Sequence, residues 1–410
     1  MSIWKTILNN LPEVEGPSQK FLAFKEKLKW TLVVLVIFFV LGVLPLFGLG
    51  ENQLERFQFF SVVLGAEFGS LISLGIGPIV TASIVLQLLN GSGILKLDLT
   101  QPEGKKTFQG LQKLMAIFFI VFEAIIFVLM GGLSPADIGT TFASGAVMTP
   151  ALFSQLQLLL IFQIFLGGIM VLFMDEVVSK WGFGSGLSLF IAAGVSKTIF
   201  VQAFNWLPGP AGIAGITYSA GAVPALFQSL AASDLVTAGI MFTTLLFTVL
   251  VFVMVVFAQA MKVEIPLSFG MVRGHGVRWP LSFFYTSVIP VILVSALIAN
   301  FQLLGNFLNN KGIPLLGTFN SLGQPVSGFI FWVQPINLVR SIVQQGTIFI
   351  GATPYLQALF YILFLMLGAM VFSIFWVQTA GMDARSQAKQ MMSSGLQIPG
   401  FRRDERVLER

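Results

Sequence analysis

The sequence predicts an all-α polytopic membrane protein of eight spans that encloses an aqueous space. Three observations carry this. Hydrophobic residues make up 56% of the 410 residues and charged ones only 10%, with mean hydropathy +0.88, whereas a soluble domain carries about 25% charged residues. The apolar runs divide the cations asymmetrically. One apolar segment, Phe57 to Leu89, is broken midway by Glu67, Gly69 and Leu74-Gly-Ile-Gly-Pro78. In lipid an unpaired backbone group costs several kcal/mol, so a half-helix ending in Gly and Pro survives only against protein or beside a water-filled cavity.

Trp30–Leu49 is the first span. Residues 1–29 are mostly polar and hold no short apolar core with a small-residue cleavage site, so this is a retained span and not a secretory signal. Phe57–Gly65 follows, about ten residues against the roughly 20 needed to cross the hydrocarbon core. The remaining spans are expected near 71–90, 108–130, 151–173, 186–202, 236–259, 281–303 and 355–378. The positive-inside rule sets their orientation. With the N-terminus inside, all but four of the 23 Lys and Arg residues (Arg56, Lys197, Lys311 and Arg340) fall on internal segments. Moving any span spoils that asymmetry, and both ends of the chain are then cytoplasmic. The external segments 131–150, 203–235 and 304–354 are nearly uncharged and cap or dip into the outer face, while Gly381–Arg410 is a polar, basic tail. Pro78 in the second span and Pro290 in the seventh sit in similar aliphatic settings, each followed by a Gln (Gln87, Gln302). That is a faint echo of the inverted repeats that arrange broken helices around a central path.

The chemistry available is narrow. There is no Cys and one His, so thiolate chemistry is excluded and a zinc or haem site is disfavoured. No catalytic constellation is visible, and no enzyme activity, metal or cofactor is expected. Gly182-Phe-Gly-Ser-Gly186 lacks the Lys-Ser/Thr of a phosphate loop and reads as a flexible entry into the fifth span. Glu123 lies mid-span, where a carboxyl group needs a partner or water; it reads as a gate or interhelical contact, as a proton or ion site, or as a protonated acid bonded to a neighbouring helix. Thr81 and Asn300 are polar groups able to hold two helices together at about 0.6–2 kcal/mol per bond. Lys197 reads as a snorkelling cation. The internal loop Lys262–Arg278 and Phe401-Arg-Arg-Asp-Glu-Arg406 read as solvated or headgroup-facing basic runs, with phosphate on RNA as the second reading.

Taken in order, several stretches resemble the SecY family, the pore-forming subunit of the protein-conducting channel (translocon), and its archaeal members most. They are Leu11-Pro-Glu-Val-Glu15, Phe24–Trp30, Leu74–Thr81, Phe108–Lys113, Asp175–Lys180, Gly184–Ser196 and Val263-Glu-Ile-Pro266, collinear from residue 11 to about 383. The resemblance implies an hourglass channel with an aliphatic pore ring at its waist, at Ile76, Val80, Leu187, Ile191 and Ile292. It implies a plug, Glu55 to about Glu67, presenting Phe57, Phe59, Phe60, Val62, Val63 and Leu64. It implies a lateral gate between spans two and seven with a polar cluster at Thr81, Glu123 and Asn300. Ribosome docking falls on Arg273, His275 and Arg278 and on Arg402, Arg403 and Arg406. A one-span SecE-like subunit, a third small subunit, a cytoplasmic driving partner such as the ribosome, and unfolded secretory or membrane polypeptides are the implied partners, and the archaeal plasma membrane the location. The organisation expected is a cytoplasmic segment 1–29, a first half 30–202, an external connection 203–235, a second half 236–378 and a basic tail 379–410. The family has ten spans, and this sequence reaches only the loop leading to the ninth, so truncation before spans nine and ten is expected. The competing readings are a secondary transporter of a small solute built on Glu123, and an incomplete, inactive fragment.

Overall fold

The computed structural model describes residues 11–18, 22–52, 64–91, 94–95, 97, 102–136, 139, 148–211, 217–269, 276–283, 286, 289–310, 312–320, 324–336, 338, 342, 351–379, 383–393 and 396–397. The described chain is mostly helical. Helix α1 (Phe24–Val43) buries Thr31, Val34, Phe38 and Leu41, the three-and-four spacing of one helix face, and stops where Leu44 turns extended (φ −74°, ψ 110°). Pro45 follows, and the residue before a proline is disfavoured in the helical region. A two-residue strand β1 (Glu51–Asn52) pairs antiparallel with β2 (Leu133–Ser134). Helices α2 (Gly77–Gly91), α3 (Pro102–Leu129), α4 (Pro150–Trp181) and α5 (Gly186–Phe204) come next in the sequence. Pro78 stands in the first turn of α2, where its missing N–H costs nothing.

A hairpin, β3 (Pro208–Ala211) and β4 (Thr217–Ser219), leads through α6 (Ala222–Ala231) to α7 (Leu235–Ala260). Asp234 caps α7, accepting from the Thr237 N–H at 3.2 Å and its hydroxyl at 2.6 Å. Then follow β5 (Lys262–Phe269), β6 (Gly276–Ser282), α8 (Ile289–Asn310), α9 (Phe329–Val333), α10 (Ala352–Thr379), α11 (Ala384–Ser393) and β7 (Leu396–Gln397). Strand β5 is central in an antiparallel sheet ordered β6-β5-β7.

Among the described residues six helices are long and apolar enough to cross a membrane: Lys106–Leu129, Pro150–Trp181, Gly186–Phe204, Leu235–Ala260, Ile289–Asn306 and Ala352–Val377. The other two expected spans correspond to α1 and to the short α2. Several boundaries and one loop differ from expectation: the first helix starts at Phe24 where 30 was expected, and the fourth span runs on to Trp181 where 173 was expected. The second span begins as a helix only at Gly77, because residues 71–76 are turns, buried from Ile72 onward. The seventh begins at Ile289, because residues up to Ser282 belong to β6. The internal stretch 262–278, expected as a loop, holds an antiparallel ribbon with Lys262 opposite Ser282 and Pro266 opposite Arg278. Alternation of Val263, Ile265 and Leu267 with polar neighbours is the period-two signal for it.

Compactness divides the chain into two units. One takes Gly194–Ser287 and Ala380–Arg410 and contains α6, α7 and the β6-β5-β7 sheet. Helix α7 buries none of its most apolar stretch, and its Thr244 and Thr248 hydroxyls donate to the carbonyls of Ile240 (2.9 Å) and Thr244 (2.8 Å). A helix that satisfies its own polar groups and exposes Leu246, Phe247, Val249 and Phe252 suits a lipid solvent.

The other unit, Met1–Ala193 with Val288–Thr379, is built around the broken segment. Residues 72–80 are all buried, in turns up to Ile76 and in α2 thereafter. Irregular backbone at this depth is tolerated only when its polar groups are paired. Leu71 N–H donates to Leu44 C=O (3.1 Å), Leu46 N–H to Gly69 C=O (2.9 Å) and Ile76 N–H to Leu64 C=O (2.8 Å). Ser70 Oγ donates to Glu67 C=O (2.7 Å) and accepts the Ile72 N–H (3.2 Å), while Ser73 Oγ accepts the Gly69 N–H (3.0 Å). Helix α4 presses Gly167 against this turn so closely that a Cβ there would overlap the Leu71 carbonyl oxygen.

An extended strap, Leu11–Pro17, lies against the same unit beside the end of α4. Lys180 Nζ reaches Glu13 Oε1 (2.6 Å) and Val14 C=O (2.5 Å), and Trp181 Nε1 donates to Glu15 C=O (2.9 Å). Glu176 accepts the Val14 N–H (3.0 Å) and pairs with Lys113, which also bonds Pro12 C=O. Trp30 packs on Trp181 with ring centroids 5.6 Å apart.

Gly167→Ala should destabilise the unit by about 1–3 kcal/mol through overpacking, read as a lower thermal midpoint in detergent; an unchanged midpoint would mean the turn is not held there. A second outcome concerns pH. The hydrogen bond from Lys180, then its charge, holds the Glu13 carboxyl below its usual range. A folded value below the unfolded one, about 4.3, gives a contribution present above that pH and lost as pH falls through the folded value. Limited proteolysis of the strap should therefore accelerate below about pH 4.3, and Glu13→Gln should blunt that acceleration.

Candidate functional site

The expected waist and gate residues all lie in the unit built on the broken segment. Ile76 is fully buried, at 0% exposure, and Val80 nearly so, at 5%. They stand just before α2 and in its first turn, where the turn at Gly77-Pro78 turns irregular chain into helix. Leu187 and Ile191, in the first two turns of α5, are partly buried against the same apolar cluster. Phe190 between them is fully buried and stacks on Phe38 of α1 at 4.7 Å.

Leu64 and Gly65 link the two sides. The Leu64 carbonyl accepts the Ile76 N–H at 2.8 Å, and a Cβ on Gly65 would lie 3.5 Å from the Phe190 backbone. The described end of the expected plug is thus seated between Ile76 and the second turn of α5. Phe57, Phe59, Phe60, Val62 and Val63 lie outside the described residues. Ile292 is half-buried on α8, two residues past Pro290, and α8 packs on α2.

The three expected gate residues converge. Thr81 Oγ1 donates to its own helix at Gly77 C=O (2.9 Å) and lies 3.4 Å from Glu123 Oε1 of α3. Asn300 Nδ2 of α8 donates to Thr81 Oγ1 at 3.5 Å. A hydroxyl has one proton, so Gly77 and Glu123 compete for it, and the shorter contact wins. What remains between the helices is one long hydrogen bond, from Asn300 to Thr81, and a 3.4 Å polar contact between Thr81 and Glu123, both near the weak limit of the geometry. Such a seam registers α2 against α3 and α8 without locking them. Gln87 continues the polar line on α2; it is buried, donates to Ser83 Oγ at 3.0 Å, and its Oε1 lacks a partner among the described residues.

Of the expected docking cations, Arg278 is described. It is exposed on β6 and pairs with Glu264 of β5 at 2.9 Å. Arg273, His275, Arg402, Arg403 and Arg406 lie outside the described residues. Among the described residues no group of three or more His, Cys, Asp or Glu is placed to hold a metal ion.

Two features escaped the sequence reading. The first is the strap and its ionic partners Lys113, Glu176 and Lys180. The second is Asp175 near the end of α4, whose Oδ1 accepts the Leu187 N–H at 2.9 Å. Its only sequence signal is a carboxylate closing an apolar run just before a Gly-rich helix entry.

Known proteins match nearly the whole length of the chain. The SecY family model matches residues 70–410. A relative from Pyrococcus furiosus, named protein translocase subunit SecY, is 40% identical over 411 residues, covering 97% of this chain and 82% of its own. A solved structure titled "The structure of a protein conducting channel" superposes with TM-score 0.77 at 38% identity, covering 98% of this chain and 84% of that one. The Sec61 chain of a canine ribosome-channel complex from the endoplasmic reticulum gives TM-score 0.72 at 38% identity, covering 94% of this chain and 80% of that one.

Thr81→Val preserves the shape of the seam residue and removes the hydroxyl, so about 0.6–2 kcal/mol of interhelical bonding should be lost. Spin labels at the exposed Leu88 of α2 and Leu304 of α8 should then report a broader distance distribution. An unchanged distribution would show that the polar seam does not hold these helices.

Proposed function

The chain belongs to the SecY family and is a multi-pass membrane protein of a protein-translocation channel; we propose that polypeptides pass through a waist lined by Ile76, Val80, Leu187, Ile191 and Ile292. The observation that carries this reading is the burial of Ile76 and Val80 beside Leu64–Gly65 and α5. Aliphatic side chains suit a waist. They close into a dry collar, expel ions, and offer a passing chain no hydrogen bonds to hold it.

Residues from Phe57 to Leu64 act as the plug in this proposal. Displacement of Leu64 breaks one backbone bond to Ile76, a cost of about 0.5–1.5 kcal/mol, which a pushed polypeptide easily supplies. Helices α2 and α8 part along the Thr81–Glu123–Asn300 seam to release hydrophobic segments into lipid. The seam's long contacts support that use, since the bonds lost are weak and the exposed groups few.

Docking of the ribosome is assigned to the β5–β6 ribbon with Arg273, His275 and Arg278, and to Arg402, Arg403 and Arg406. The canine relative's complex with a ribosome supports this. A one-span SecE-like subunit and a third small subunit complete the assembly in this proposal. The exposed apolar surface of α7 supports a lipid-facing or subunit-facing position for it. Both chain ends described by the positive-inside pattern lie on the cytoplasmic side of an archaeal plasma membrane. The subunit catalyses no reaction, and a bound partner supplies the driving force. The small-solute transporter is not favoured, because Glu123 bonds to Thr81 within a seam between helices and the matched relative is named a protein translocase subunit.

Photo-crosslinkers placed at Ile76, Ile191 and Ile292 of the assembled channel should capture a stalled secretory chain. Capture confined to the loops would remove the waist assignment.

A further inference from the structure

Helix α5 carries two of the proposed waist residues, Leu187 and Ile191, so its own placement sets where they point. The first N–H groups of any helix lack partners within the helix. In most helices a side chain just ahead of the first turn supplies the acceptor. Here the acceptor comes from another helix: Asp175 of α4, twelve residues before Leu187, accepts the Leu187 N–H at 2.9 Å, and the Gly186 amide also bonds it. The fit is close. A Cβ on Gly186 would lie 2.6 Å from Asp175 Cα and 2.7 Å from Oδ1, so the first residue of α5 must be glycine for the carboxylate to reach.

Asp175 is itself on a fixed support. Its neighbour Glu176 pairs with Lys113 of α3 and accepts the Val14 N–H of the strap at 3.0 Å. The end of α4 is therefore tied to α3 and the strap on one side and to the start of α5 on the other. A carboxylate suits the task, because hydrogen bonds to a charged acceptor are short and strong and the start of a helix carries partial positive charge.

We infer that Asp175 is a positioning residue for the waist: by holding the first amides of α5 it fixes the axial height and rotation at which Leu187 and Ile191 are presented. The inference rests on the waist assignment above. A slip of one residue along α5 would shift these side chains by about 1.5 Å and turn them by roughly 100°, taking both away from the lumen.

The test uses the full channel complex reconstituted in lipid, with photo-crosslinkers at Leu187 or Ile191 and a stalled secretory chain. The readout is the ratio of capture at the two positions, together with ion leak through the resting channel in a planar bilayer. Asp175→Ala should change the ratio and raise the leak severalfold. Asp175→Asn keeps an acceptor oxygen at the same reach and should restore both. Glu176→Gln, one residue away, weakens the Lys113 pair but keeps an acceptor for the Val14 N–H, so it lowers stability and should change the ratio less than Asp175→Ala does. An unchanged ratio in Asp175→Ala, or an equal change in Glu176→Gln, would overturn the inference. Should Asp175→Ala not assemble, Asp175→Glu carries the carboxylate about 1.5 Å further and should shift the ratio; no shift would be equally fatal. Failure of the otherwise unaltered channel to give capture at either position would instead overturn the waist assignment, so the two failures are distinct.

Discussion

The structure depends on one constraint: backbone that is not helical can lie at membrane depth only if protein satisfies its polar groups. Residues 64–76 meet it through bonds to Leu44, Leu46 and Leu64 and through the hydroxyls of Ser70 and Ser73. Once that turn is satisfied, much else follows. It lets α2 start in mid-protein at Gly77, so that Ile76 and Val80 sit at the break and Thr81 one residue beyond it. It requires a helix with no side chain at the contact, hence Gly167 on α4. It also places the turn beside Phe190, between Leu187 and Ile191. Among the described residues this buried, non-helical turn coincides with the residues of the proposed waist.

Burial and bonding divide the labour. The apolar cluster around Ile76, Ile120, Leu160 and Phe190 is fully buried and supplies the non-directional attraction. Polar contacts within it are few and of graded strength. The serine turn is short-range and tight; the Thr81–Asn300 contact is long. A structure meant to open sideways needs its weakest bonds along the opening line, and the long contacts lie between helices, not within them.

The long spans were legible because hydropathy is a local, additive property of sequence. The start of α2 was not, because Leu71, Ile72, Leu74 and Ile76 are as apolar as a helix face, and hydropathy does not separate a buried turn from a buried helix. Only Gly75 and Gly77-Pro78 marked the change. The ribbon at 262–282 was missed although Val263, Ile265 and Leu267 alternate, because its charges and glycines suggested a solvated loop. Thr81, Glu123 and Asn300 were individually conspicuous as polar groups in apolar runs; their meeting depends on three helices distant in sequence, and came from resemblance alone. Asp175 looked like an ordinary charged helix end beside Glu176 and Lys180. Its role is visible only once the amide of Leu187 is seen above it.

The strap has a consequence for the order in which the chain is made. Its partners lie far downstream: 101 residues separate Pro12 from Lys113, 162 separate Val14 from Glu176 and 167 separate Glu13 from Lys180. At synthesis rates of about 5–20 residues per second, Glu13 waits roughly 8–33 seconds for Lys180 to be made. During that interval the strap has no docking place, and the first helices sit in the membrane without their clasp. Docking of the strap therefore reports that α3 and α4 have both arrived, and it closes this part of the fold by a contact of high sequence separation, the kind that forms late and slowly.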